Sequence, residues 1–218
     1  MICGIIASMA PDSAVPAVPA RAHTHLDDST TIIDEISGTW TKAGTLSLAT
    51  GGKFGARCAR FPYDTGYAQK SFGTEYPVGQ DYTMEGFARF EAGGLTGTGL
   101  TTLLKVGNNL ARVSWSSTSS FSWHLRNQSG VITAGDVVTL NTAAWYHVAM
   151  VRAAGVMMLF IDGVLTLTHP NADSIAPNTI YFGLADNPEE RPILRMDEIR
   201  FTPAAIYSGN FSPPSAPF

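Results

Sequence analysis

Apolar and polar residues alternate along most of this chain with a period of two, the spacing of a β-strand that buries one face. The pattern is clearest in Phe121-Ser-Trp-His-Leu-Arg126. There Phe121, Trp123 and Leu125 share one side, and Ser122, His124 and Arg126 share the other. The stretch from Trp145 to Leu165 predicts three strands joined by two tight turns, at Ala154-Gly155 and Asp162-Gly163. Asp-Gly between apolar runs is a strong hairpin signal, because a two-residue type I′ turn needs φ > 0 at both central positions. In Asp81 to Phe90 neither alternate set is cleanly polar, which predicts a strand covered on both sides.

Other strands are expected at Thr31 to Gly38 (short, running into a turn), around Trp40 and Leu46 to Leu48, and at Ala59 to Phe61. Further along they are expected at Thr101 to Val106, Arg112 to Trp115, Val131-Ile132, Asp136 to Leu140, Thr179 to Gly183 and Ile193 to Phe201. Residues 62–79 read as an irregular loop. The prolines of 203–218 allow at most one helical turn there, at Ala204 to Tyr207. No long helical period and no internal repeat is present. Roughly a dozen short strands imply an all-β fold, a two-sheet antiparallel β-sandwich.

Residues 1–22 follow a different rule. Pro11-Asp-Ser-Ala-Val-Pro-Ala-Val-Pro-Ala20 favours extended backbone without internal hydrogen bonds. Such an arm cannot bury itself, yet Ile2, Ile5, Ile6, Met9, Val15 and Val18 are apolar for a free tail. The expectation is an N-terminal arm (1–22), either a loose terminus or one that docks on a neighbouring subunit, followed by one sandwich domain (23–218).

Composition narrows the function classes. Apolar residues make up 44% and charged residues 15%, so a large core is available. The net charge is −4 and the Lys and Arg residues are scattered singly, which argues against nucleic-acid binding. No apolar run approaches the ~20 residues that a membrane-spanning helix needs. The opening Met1 to Ala10 has no basic residue before its short apolar part, so it does not read as an export signal. Two cysteines, Cys3 and Cys58, exclude a disulfide-dense scaffold. They read as two thiols, with a single bridge as the alternative in an oxidising place.

A search for catalytic constellations finds none. Glycosidases on sandwiches use paired carboxylates projecting together from one strand, in runs such as Glu-x-Asp-x-x-Glu. Here Asp197-Glu198 and Glu189-Glu190 are adjacent pairs, whose members should point to opposite faces. His23-Thr-His25 with Asp27 and Asp28 reads as a polar lead-in to the first strand, since no third imidazole lies nearby for a metal. Asp34 and Asp197 are expected to bond loop backbone, and His147 to be a packed sheet histidine. Trp115, Trp123 and Trp145 read as core before sugar platforms. The better recognition candidates are His124 and Arg126, with loops 91–99, 116–120 and 185–192 around them. Asn127-Gln-Ser129 and Asn210-Phe-Ser212 match the glycosylation pattern, which means little without an export signal.

The meander Trp145-Tyr-His-Val-Ala149 to Asp162-Gly163 resembles that of laminin-G-like, concanavalin A-type jelly rolls. Further landmarks are Leu26-Asp-Asp28, Asp34-Glu-Ile-Ser-Gly38, Lys53-Phe-Gly55 and Tyr82-Thr-Met-Glu-Gly-Phe-Ala-Arg89, so the likeness covers roughly residues 23–218. The end of the chain, Met196-Asp-Glu-Ile-Arg-Phe201 and then Tyr207-Ser-Gly-Asn-Phe211 with Pro213-Pro214, is similar to that of tailed-bacteriophage virion proteins with this fold. The resemblance implies a non-enzymatic virion accessory protein, a capsid decoration or tail-associated subunit, made in the host cytoplasm. Its partners would be other virion proteins, or itself as a homo-oligomer. The alternative is a carbohydrate-binding module that meets cell-surface glycans. Many laminin-G-like domains hold a structural calcium; no dedicated motif for one occurs here, and no other cofactor is implied.

Overall fold

In a computed structural model of the protein, the residues described are 19–20, 22–24, 33–34, 36, 38–62, 66–91, 98–117, 120–170, 175–183 and 193–218. The arm residues Ile2, Ile5, Ile6, Met9, Val15 and Val18 lie outside them, as do Cys3, His25, Asp27, Asp28, Glu189 and Glu190.

The strands run β1 (Ala22–Thr24), β2 (Ile33–Asp34), β3 (Gly38–Thr39), β4 (Thr41–Ala43), β5 (Ser47–Thr50), β6 (Arg57–Phe61), β7 (Tyr67–Ser71), β8 (Tyr82–Glu91) and β9 (Gly99–Val106). They continue as β10 (Asn109–Ser117), β11 (Ser120–Arg126), β12 (Ile132–Val138), β13 (Tyr146–Ala153), β14 (Val156–Ile161), β15 (Val164–Pro170), β16 (Thr179–Phe182) and β17 (Ile193–Thr202). An eight-stranded sheet has the order β15-β14-β13-β8-β17-β6-β5, with β1 also pairing β17. A seven-stranded sheet has the order β12-β11-β10-β9-β16-β7-β4, and β2-β3 form a small separate ribbon. The pairings in both large sheets are antiparallel, and no helix occurs among the described residues.

The core lies between the two sheets. Met84, Phe90, Val148, Met150, Leu159 and Phe201 come from one, and Leu104, Val113, Trp115, Phe121, Trp123 and Phe182 from the other. Removing each such large side chain from water contributes roughly 1.5–3 kcal/mol before entropy is counted. The expected meander is present: β13, β14 and β15 are joined through Ala154 (φ 46°) and Gly155 (φ 79°), then Asp162 (φ 50°) and Gly163 (φ 75°). Positive φ at both central positions makes each a primed turn, whose twist matches the flanking strands.

Several expectations need correction. Residues 62–79 are not all loop, because β7 pairs with both β16 and β4. Its sequence, Tyr-Ala-Gln-Lys-Ser, carries no apolar alternation that would mark it as a strand. Val131-Ile132 and Asp136 to Leu140 belong largely to one strand, β12, with an irregularity in its pairing near Gly135. Residues 204–207 form no helical turn: Ile206 N donates to Thr83 Oγ1 instead, at 3.0 Å. Trp145 lies half-buried just ahead of β13, whereas Trp115 and Trp123 are buried in the core as expected.

β8 is buried along nearly its whole length, as its mixed pattern predicted. Its inner side meets the core. Its outer side is covered by the tail, residues 203–218, which crosses the eight-stranded sheet.

Candidate functional site

The outer face of the seven-stranded sheet is built by register. Because side chains alternate, residues paired across neighbouring strands stand on the same face. One row therefore runs Gln69, Tyr181, Lys105, Leu110, Arg126 and Ile132. The next holds Thr102, Arg112, His124 and Ala134, and a third holds Leu100, Ser114, Ser122 and Val137. The strict alternation of β11, with Phe121, Trp123 and Leu125 buried and Ser122, His124 and Arg126 half-buried, turns His124 and Arg126 to this face.

Local bonds fix these side chains. His124 Nε2 and Ser114 Oγ are 2.7 Å apart. Burial pushes the His124 pKa below its ordinary value, and the neighbouring Arg112 charge adds to the effect. Arg112 is only 7% exposed. Lys105 Nζ lies 5.0 Å from the centre of the Tyr181 ring, a cation–π contact. Ser122 Oγ donates to Gly135 O at 2.6 Å.

Two hollows flank these cations. One, of about 410 Å³, is lined by Leu100, Ser114, Trp115, Ser120, Ser122 and Val137 among others. The other, of about 380 Å³, lies around Lys105, Asn108, Gln128, Thr179 and Tyr181. From loop 116–120, Ser116 and Ser120 border the first hollow; residues 118–119, loop 185–192 and most of loop 91–99 lie outside the described residues.

A second constellation, which sequence reasoning missed, lies under the tail on the outer face of the eight-stranded sheet. Glu85 and His147 are fully buried. Glu85 Oε2 accepts from Tyr207 Oη at 2.8 Å and is 3.1 Å from His147 Nε2. Its other oxygen, Oε1, accepts from Arg200 Nε and Nη2 at 2.9 and 2.6 Å. Burial alone would raise the Glu85 pKa. The His147 hydrogen bond and the Arg200 charge more than reverse this and hold the carboxyl below the usual range. Tyr207, its hydroxyl aimed at that carboxylate, is pushed upward by burial and by the Glu85 charge.

Beside this cluster β17 breaks its alternation. Its register with β8 shifts between Asp197 and Arg200, and Glu198 takes φ 53°. Asp197 accepts from Lys53 N at 2.6 Å and Glu198 N at 3.0 Å, the backbone bonding expected of it. Glu198 Oε2 accepts from Phe218 N at 3.2 Å and lies 3.5 Å from His23 Nε2. Phe54, next to Lys53, and Phe218 both pack on Phe87. The two adjacent carboxylates therefore serve the same outer side, not opposite faces, because the bulge resets the strand. Only the pairing register reveals it.

The tail is bonded at each of its landmarks. Asn210 Oδ1 accepts from Leu165 N at 2.8 Å, Phe211 N donates to Gly163 O at 2.9 Å, and Tyr207 and Phe211 stack with ring centres 3.6 Å apart. Together they roof Ala149, Val151, Met158 and Phe160. Asn127, the other residue of a glycosylation pattern, is buried, and its Oδ1 accepts from Val131 N at 2.8 Å.

Among the described residues no group of three His, Cys, Asp or Glu side chains is gathered as a metal ion would require. Cys58 is a free, buried thiol whose pKa is raised by burial against the opposing influence of Arg195.

Two antiparallel sheets packed face to face around one core define a jelly-roll domain. The chain belongs to the concanavalin A-like lectin/glucanases superfamily, whose family model matches residues 64–206. No curated protein sequence matches it. The ligand-binding domain of botulinum neurotoxin serotype D, solved in complex with N-acetylneuraminic acid, superposes with a TM-score of 0.62 at 11% identity, over 86% of this chain and 48% of that one. The binding domain of Paraclostridial Mosquitocidal Protein 1 gives 0.59 at 15% identity, over 86% and 49%. The chain thus spans about half the length of these structures. At such identities the likeness is one of fold.

Proposed function

We propose that this chain is a non-enzymatic, lectin-like binding domain whose saccharide surface is the outer face of the seven-stranded sheet, centred on His124 and Arg126. The observation that carries the reading is the contrast between the two outer faces. That of the eight-stranded sheet is sealed by the chain's own tail, while the other presents imidazole, guanidinium and hydroxyl groups beside two hollows. Hydroxyls and planar donors suit sugar hydroxyls, and the half-buried Tyr181 offers a ring for a sugar face. The structural neighbours are binding domains, one of them solved with a sugar acid, which is consistent with this use.

The buried carboxylates Glu85, Asp197 and Glu198 support the non-enzymatic part, since each is at most 1% exposed and held by neighbouring groups. A glycan array is the test. The protein should retain at least one glycan, and Arg126→Ala or His124→Ala should abolish the signal; silence across the array rejects the reading. Incubation with the retained glycan should release no reducing ends.

A virion accessory position, docked through residues 1–22, is a second reading. It rests on the likeness of the tail text to phage virion proteins. That text has intramolecular work in this fold, because Tyr207, Asn210 and Phe211 fasten the tail to the sheet. Deleting residues 1–22 tests it: the sandwich should still fold while incorporation into particles is lost.

A further inference from the structure

Two β-bulges meet at the first hollow. Between β10 and β11 the register steps from Trp115–Phe121 to Ser117–Ser120, so Ser116 is an extra residue on β10. Between β11 and β12 it steps from Ser122–Val137 to His124–Ala134, so Gly135 and Asp136 face the single Trp123. Bulges interrupt pairing and re-aim side chains, and they are common beside functional sites. Ser116 and Val137, at the two bulges, both line this hollow. Its volume of about 410 Å³ lies within the range of small-ligand sites.

The described lining is of one kind. Thr98, Ser114, Ser116, Ser120 and Ser122 bring five hydroxyls, and Leu100 and Val137 bring apolar surface. Each of these seven is exposed or half-buried. Trp115, 3% exposed, also lines the hollow, and it is packed so closely on Gly99 that a Cβ there would stand 2.1 Å from the indole. Among the described residues lining the hollow, none carries a charge. Arg112, two residues from Ser114, is 7% exposed, and Asp136 precedes Val137 in the β12 bulge; neither lines it. Ser122 Oγ donates to Gly135 O, which leaves its lone pairs for a ligand's hydroxyl.

A neutral pyranose has the matching chemistry. Its ring carbons offer an apolar surface for Leu100 and Val137, and its hydroxyls donate and accept as the lining hydroxyls do. A carboxylate or ammonium placed there would lose hydration without meeting a counter-charge.

We infer that the first hollow is the subsite for an uncharged pyranose unit of the bound glycan, held by Ser114, Ser116, Ser120 and Ser122 against Leu100 and Val137. The inference rests on the reading of this face as the saccharide surface and deepens it. Four residues of β11 separate Ser122 from Arg126, about 13 Å along the strand. Arg126 therefore meets a different part of the glycan, with His124 midway between.

The glycan retained on the array is displaced with methyl pyranosides in matched pairs: glucoside, galactoside and mannoside, each against its uronide. At least one neutral glycoside should displace it, and the corresponding uronide should be weaker by about tenfold or more. Ser116→Ala and Ser120→Ala should each weaken that glycoside by about fivefold, the share of one neutral hydrogen bond. Val137→Trp, which crowds the hollow from an exposed position, should abolish displacement. An unchanged Tm shows that each variant is folded; if one variant loses Tm, the other two decide.

A retained glycan that no neutral glycoside displaces overturns the inference while leaving the lectin reading in place. A uronide that displaces as well as its neutral partner does the same. So does binding that survives all three hollow variants but is lost in Arg126→Ala or His124→Ala. Loss in the hollow variants with Arg126→Ala unaffected supports the subsite and moves the centre of the surface away from Arg126. Silence across the array removes the lectin reading itself, and the inference with it.

Discussion

At Glu85 a single buried carboxylate is shared by three donors, and its stability contribution has a definite pH signature. Its pKa is depressed in the fold, so the stabilisation is present above the unfolded value of about 4.3 and is lost as pH falls below it. Glu91, which is paired with Arg60 and Arg195 and depressed by them, acts in the same window. Glu85→Gln leaves Arg200 and His147 without their carboxylate and should cost about 3–5 kcal/mol at pH 7. Thermal unfolding from pH 7 to 3 checks this: the variant should start lower and lose less on acidification. His124 titrates in a different window. Its lowered pKa means that acidification below about 6.5 costs the fold stability. The Tm should therefore fall as pH drops from about 7.5 to 5.5, and His124→Gln should remove that part of the slope.

The same residues show what a sequence can reveal. The outward direction of His124 and Arg126 was legible, because a clean period of two needs no partner strand to be read. Glu85 was not. It sits in a strand whose two alternate sets look alike, and its three donors come from β13, β17 and the tail, up to 122 positions away.

At the scale of elements, the strands that were misread are those whose burial is set by neighbours rather than by their own pattern. β7 contributes Ala68 to the core and little else, so its pairing with β16 carries it. β12 is an edge strand with Ile132, Val137 and Val138 exposed, and its apolar residues do not mark an inner face. The Asp162-Gly163 turn, by contrast, was legible from two residues because its φ requirement is local. Its second role was not: Gly163 also receives the tail. A Cβ at Gly163 would stand 2.0 Å from Phe211 O, and its φ of 75° already disfavours any side chain. Gly163→Ala should therefore loosen the tail as well as strain the turn, at a cost of about 1–3 kcal/mol. Phe211→Ala removes the roof without touching the turn and should cost about 1–2 kcal/mol. Both variants should expose amides of β14 and β15 to faster hydrogen exchange and increase binding of a hydrophobic dye. If Gly163→Ala alone does so, the turn rather than the tail holds that edge.

Under the proposed function, the sandwich assigns two tasks to opposite outer faces. One face is closed by a strap anchored at Thr83, Glu85, Gly163, Leu165 and Glu198; on the other, β9 to β11 carry Lys105, Arg112, His124 and Arg126. Packed sheets lie about 10 Å apart, and the intervening core is dense and apolar. The groups named on the two outer surfaces stand on opposite sides of that core, so perturbations there should add rather than couple. The prediction is made with a double variant. Glu85→Gln should lower Tm by about 6 °C or more and leave the dissociation constant for the glycan retained on the array unchanged at a temperature where the protein is folded. Arg126→Gln should weaken binding about tenfold and leave Tm unchanged. Combined, the two should give the sum of both effects within about 0.5 kcal/mol. A larger coupling energy would mean that the tail-covered cluster sets the geometry of the binding face, and the domain would then be a coupled device rather than a stable frame carrying an independent site.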